Sequence, residues 1–78
     1  MSASEFHPLS QLRPGACGRV ARVTRDLTSR AERLAAMGVT PGAKVRVLQT
    51  FPGIVFECDQ TELAVERAVA RSIFVELE

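Results

Sequence analysis

The sequence predicts a mainly β domain of short strands covered by one short helix, and three observations carry that expectation. Residues 44–48 and 54–58 alternate apolar and polar side chains with a period of two, the mark of half-buried strands. Ser29 to Gly42 reads as a helix of about two turns with both its start and its stop written into the residues. The length of 78 residues suits one domain, and a chain that small buries only about 60% of the surface its unfolded form exposes. Its elements must therefore be few and tightly shared.

Taken in order, residues 1–8 form a loose lead-in to a domain spanning residues 9–78. Gly18 to Thr24 is the first expected strand. Val20 and Val23 fall on opposite faces under strict alternation, so this strand needs a bulge of the kind that bends a sheet around a small barrel. The helix follows: Ser29 caps it, and Glu32 stands three residues on, where its carboxylate reaches back to the Ser29 amide. Ala31, Leu34 and Met37 share its apolar face, Gly38 ends it in a left-handed conformation, and Pro41-Gly42 forbids continuation. So short a helix is unstable alone in water and has to be pinned by Leu34 and Met37 to a core built elsewhere. Lys44 to Leu48 then places Val45 and Val47 inward and Lys44 and Arg46 outward. Ile54, Phe56 and Cys58 form the inward face of the next strand, with Glu57 and Asp59 in solvent, and Leu63 and Val65 point inward from residues 61–65. Residues 61–72 are ambiguous, because their good helix formers also read as one continuous helix.

Charge is more informative in its distribution than in its net value of +1. Up to Thr50, eight Lys or Arg residues face three acids; from Phe51 on, two arginines face six acids. The near-neutral total, with neither Trp nor Tyr to stack on bases, argues against a nucleic-acid binder. A bipolar surface suits docking onto another protein, where complementary potentials steer encounter, and equally suits plain solvation of a small fold. In the basic half, Lys44, Arg46 and Arg33 are the candidate partner-binding residues, and Phe51 is the aromatic candidate. No apolar run approaches the ~18 residues that span a bilayer, and no positive region followed by an apolar stretch opens the chain. The expectation is a soluble, cytoplasmic protein. Two cysteines outside any Cys-x-x-Cys pair fit a reducing compartment better than a disulfide framework.

Chemistry-bearing residues are sparse. The one histidine, His7, lies in the expected lead-in, so no Cys–His or Ser–His pair is legible and catalysis is not expected. For a metal, the available soft or borderline ligands are Cys17, Cys58, His7 and Met37, with Glu57, Asp59 and Asp26 as oxygen donors, and Met37 reads as helix-face packing. Cys58 projects inward beside Phe56, where a free thiol serves as a small core hydrophobe, and His7 reads as an unliganded tail residue. Iron or zinc bound weakly or not at all is the resulting expectation, since tight sites need three or four converging ligands. A stand-alone metal carrier would require that convergence.

The succession Arg33-Leu34, Met37-Gly38, Pro41-Gly42 and the strand Lys44-Val45-Arg46-Val47-Leu48 resembles the ferrous iron transport protein A (FeoA) family. Leu63-Ala64-Val65 and Ala70-Arg71-Ser72-Ile73-Phe74-Val75 continue the likeness downstream, and Leu9, Leu12, Pro14-Gly15 and Gly18-Arg19-Val20 fit its opening. The resemblance covers the chain from Leu9 onward. It implies an SH3-like β-barrel of about five strands with one short helix and a helical turn. It also implies how residues 61–72 divide: a strand ending near Val65, a helical turn over residues 67–71 and a closing strand over residues 73–77.

The same resemblance implies a non-enzymatic module accessory to ferrous iron transport, docking on and modulating the cytoplasmic side of an FeoB-type membrane transporter and meeting the membrane only through that partner. The alternative it offers is a metal-responsive regulatory domain, since a similar fold forms the C-terminal part of iron-dependent repressors. Two departures from the family stand out. The connection Phe51-Pro52-Gly53 is short, and Gln60 stands where the family often has Gly, in a hairpin turn whose positive φ a Gln tolerates poorly.

Overall fold

The computed structural model describes residues 5–24 and 30–78. In chain order the elements are β1 (Phe6–Pro8), a 3₁₀ turn (Leu9–Gln11), β2 (Cys17–Val23), α1 (Arg30–Ala36), β3 (Lys44–Gln49), β4 (Ile54–Cys58), β5 (Thr61–Val65), α2 (Arg67–Ala70) and β6 (Ile73–Leu77). The strands form one antiparallel sheet in the order β1-β6-β2-β3-β4-β5, curled in the manner of an SH3-like barrel. It is not closed by any pairing between β1 and β5. Among the described residues there are six strands where about five were expected, and the added one comes from the stretch expected to be loose. Phe6, His7 and Pro8 pair with Glu76, Val75 and Phe74 of β6, and Leu9 behind them is fully buried. A three-residue strand carries no alternation to read, so composition alone could not mark it.

The expected bulge is present. The β2–β6 register runs Val20↔Val75 and then Arg22↔Phe74, skipping Ala21. Val20 is thereby buried and Val23 packs against the core from a partly exposed position. A second register shift, between Val47 and Gln49 against β4, bends β3 as well and leaves Leu48 exposed. Both bends let a single sheet wrap round one core in which Val45, Val47, Ile54, Phe56, Ile73 and Val75 meet.

The Ser29 cap lies outside the described residues, but the other end of α1 is explicit. Gly38 has φ +96°, its amide donates to the Ala35 carbonyl, and the Val39 amide donates to the Leu34 carbonyl at 2.9 Å. These two bonds make a Schellman motif, in which the residue after the left-handed glycine packs on the helix's last apolar turn. That explains one correction. Met37, expected on the buried helix face, is 46% exposed, because α1 ends at Ala36 and the chain has begun to turn. Val39 takes the inward place instead and is buried together with Leu34, which is 2% exposed. Gly42, at φ +92°, then donates its amide to the Val20 carbonyl, tying the loop containing Pro41 to β2.

The division of residues 61–72 follows the resemblance rather than propensity. Thr61–Val65 is a strand paired with β4, α2 is one turn, and β6 closes the sheet. In the β4–β5 hairpin the turn residues Asp59 and Gln60 both have positive φ, +48° and +74°. A Gln in that region is strained. The strain is offset at Asp59, whose amide donates to the Lys44 carbonyl at 3.0 Å and whose Oδ1 accepts the Lys44 amide at 3.2 Å, so the hairpin tip is clasped to β3.

Candidate functional site

The register of the β4–β5 hairpin decides which backbone groups of β5 are left over. With a two-residue turn, the flanking pair Cys58↔Thr61 exchanges hydrogen bonds, and bonded pairs then recur every second residue at Phe56↔Leu63 and Ile54↔Val65. The amides and carbonyls of Glu62 and Ala64 accordingly face away from β4. Beyond them the sheet ends: among the described residues no strand pairs with this edge and no group hydrogen-bonds to it.

An open groove of about 520 Å³ runs beside that edge, between α1 and β5. Leu34, Met37, Val65 and Val69 give it an apolar floor and wall, and Arg33 and Glu66 stand at its margins. A second hollow on the other flank of the same edge is lined by Pro52, Gly53 and Val55 as well as Ala64 and Glu66. Phe51, next to it, is 82% exposed. The connection that holds Phe51 is fixed at its root by Arg67, whose guanidinium donates to the carbonyls of Thr50 and Ser10.

Lys44 and Arg46 lie elsewhere. Both are exposed, as alternation predicts, and they line a cavity of about 370 Å³ with Cys17, Glu57, Asp59 and Glu78. The four partner-binding candidates thus divide into two groups, Arg33 and Phe51 around the β5 edge and Lys44 and Arg46 on the β3 face. Pairing also undoes the bipolarity of the sequence: Arg46 sits opposite Glu57, and Arg19 sits opposite Lys44 on one side and Glu76 on the other. Basic β3 and acidic β4 are neighbours, so this face carries interleaved charge instead of a positive pole.

The metal-ligand candidates are held apart. Cys17 is exposed on the outward face, its thiol 3.5 Å from the Gly15 carbonyl. Cys58 is 2% exposed, faces inward, and donates its thiol to the Gly38 carbonyl at 3.5 Å, joining β4 to the end of α1. Burial, helped by the neighbouring Asp59 charge, pushes the Cys58 thiol above the ordinary cysteine range. His7 is on β1 with its Nε2 3.5 Å from Glu5. Among the described residues no three His, Cys, Asp or Glu side chains come together as a tight transition-metal site would require.

Fold and surface define a small SH3-like domain whose β5 edge lies open beside an apolar groove. The FeoA domain matches residues 7–77, and the chain belongs to that family. The crystal structure of an iron uptake regulatory protein, FeoA, is 29% identical, with a TM-score of 0.84 over 95% of this chain and 100% of that one. Stenotrophomonas maltophilia FeoA complexed with zinc, described as a prokaryotic SH3-domain protein and a candidate activating factor for ferrous iron transport, is 22% identical with a TM-score of 0.78 over 87% of each chain. A manganese-dependent transcriptional repressor is 22% identical with a TM-score of 0.89; the match takes in 99% of this chain but only 44% of the repressor. No curated protein matches the sequence significantly.

Proposed function

We propose that this chain is a non-enzymatic binding module of ferrous iron transport that docks on the cytoplasmic side of an FeoB-type transporter and modulates it. The observation that supports this reading most is the match of the FeoA domain to residues 7–77. The edge of β5 with its flanking apolar groove supports it further, being a surface suited to contact and not to chemistry. On this reading Arg33 and Phe51 lie at the contact, while Lys44 and Arg46 steer approach over the ~8 Å screening length of physiological salt.

Binding to the purified cytoplasmic region of the transporter tests the proposal. The parent protein should bind, and a Lys44→Glu, Arg46→Glu double variant with an unchanged melt should associate more slowly at low salt than at moderate salt relative to the parent. Absence of binding by the parent at about 100 µM protein, a concentration that detects even weak association, would remove the docking reading.

A second reading, a metal-responsive regulatory domain, has the repressor's shared fold in its favour and the scattered ligands against it. Iron or zinc should bind weakly or not at all to the monomer, and a submicromolar dissociation constant by calorimetry that Cys58→Ser abolishes would reverse the order of the two readings.

A further inference from the structure

We infer that the β5 edge is completed by an extended peptide segment of the partner, added as a seventh strand, in which apolar residues alternate with Lys or Arg. The inference rests on the docking reading and specifies its chemistry. Glu62 and Ala64 present two amides and two carbonyls in the plane of the sheet, spaced as an incoming strand needs. A strand laid there points every second side chain toward the core side of the sheet, and what it meets is the groove of Leu34, Met37, Val65 and Val69. Those positions of the partner must be apolar. The intervening side chains point to the outer face, where Glu62 is exposed on β5 and Glu57 stands directly opposite it on β4. Arg46 of β3 stands across from Glu57 on its other side, so Glu62 is the carboxylate of that row with no cation opposite it, and an outward Lys or Arg of the incoming strand supplies one. Glu66, at the end of the groove, adds a third carboxylate on the same edge.

A second copy of this chain is the competing occupant, and its own edge argues against it. If two β5 edges paired, their four glutamates at positions 57 and 62 would be brought onto one continuous face with no cation among them on β4 or β5. The other edge, β1, is three residues long and ends in Pro8, which has no amide to donate.

The test uses the full chain, ¹⁵N-labelled, titrated with an end-blocked heptapeptide Lys-Val-Lys-Val-Lys-Val-Lys. The expected result is slowed exchange at the Glu62 and Ala64 amides and shifts at Met37 and Val69. A peptide N-methylated at both its lysines and its valines, so that whichever amides face β5 are blocked, should lose the protection, and Glu62→Lys should weaken binding about fivefold or more, as loss of a charged contact implies. Ala64→Pro removes one outward amide without touching a β4 bond and should abolish protection at Glu62; if that variant unfolds, Glu62→Lys and the methylated peptide still decide the matter. Protection confined to the Lys44 and Arg46 face, equal binding of the methylated peptide, or concentration-dependent dimerisation with no peptide effect would each overturn the inference. Transporter binding separates the two proposals: a parent that binds while folded Ala64→Pro and Glu62→Lys bind equally well keeps the docking reading and removes this one. A parent that fails to bind the transporter removes the docking reading whatever the peptide does.

Discussion

Replacing Leu34 by Ala tests whether α1 is a lid held by one side chain. Leu34 is 2% exposed, lies near the end of a seven-residue helix too short to persist alone, and its carbonyl receives the Val39 amide that closes the Schellman motif. Truncation removes the anchor and leaves a cavity under the helix, a change that costs about 2 to 5 kcal/mol in other buried leucine sites. A domain of this length has about 4 to 12 kcal/mol in total. At about 4 to 8 °C per kcal/mol, a loss near 3 kcal/mol lowers the melting temperature by about 12 to 24 °C. Met37→Ala is the control, because Met37 is 46% exposed and should cost less than about 1 kcal/mol. Thermal melts followed by circular dichroism read both. A drop of only a few degrees for Leu34→Ala, or equal drops for the two variants, would refute the assignment of the lid to Leu34.

Gly38→Val should destabilise by about 1 to 3 kcal/mol through backbone strain alone, since its φ is +96° and no atom lies within 4 Å of the added Cβ; urea melts check this. Gly18→Ala should be costly for the opposite reason, because its Cβ would strike the Glu76 carbonyl oxygen and come within 2.8 Å of Val75 Cγ1, so an unchanged urea midpoint would contradict the β2–β6 register. A thiol reagent should modify Cys17 quickly in the native protein and Cys58 only after unfolding. Because the Cys58 thiol is raised in the fold, the unfolded chain gives up that proton first; the contribution is fully present below the ordinary thiol pKa and is lost as pH rises from there through the raised folded value, and Cys58→Ala should flatten that decline in denaturation midpoints.

How much could be read in the chain varied with how local the deciding forces are. Strand alternation at Val45, Val47, Ile54, Phe56 and Cys58 was legible because burial there repeats with the period of the backbone itself. Gly38 was legible because only the backbone needs it. Met37 and Val39 exchanged roles because the helix stopped one residue before the apolar period did, and the hydrophobic residue that a Schellman motif places just after its glycine was the signal that pointed to Val39. β1 was invisible: its order comes from β6, 66 to 70 residues away in sequence, and three residues contain no pattern. Propensity would have made residues 61–72 a helix, and long-range pairing with β4 overrides it. The charge asymmetry was real in sequence and misleading in space, since antiparallel pairing sets the basic strand β3 beside the acidic strand β4.

That interleaving bears on where a partner can bind. On the β3 face the outward Arg46 sits opposite Glu57 of β4, so a partner's charges there would compete with a neighbour already in place. At the β5 edge the neighbours are alike, Glu57 beside Glu62, and the polar groups of the backbone have no competitor among the described residues but water. A barrel closed by a β1–β5 pairing would have satisfied those groups at the cost of the surface. Leaving the edge open exposes a domain of 78 residues to unwanted pairing, and the two glutamates raise the barrier to a second acidic edge while favouring a basic strand. On the proposed reading the same two glutamates both disfavour pairing between copies of the chain and select a basic partner strand, so one surface serves both ends.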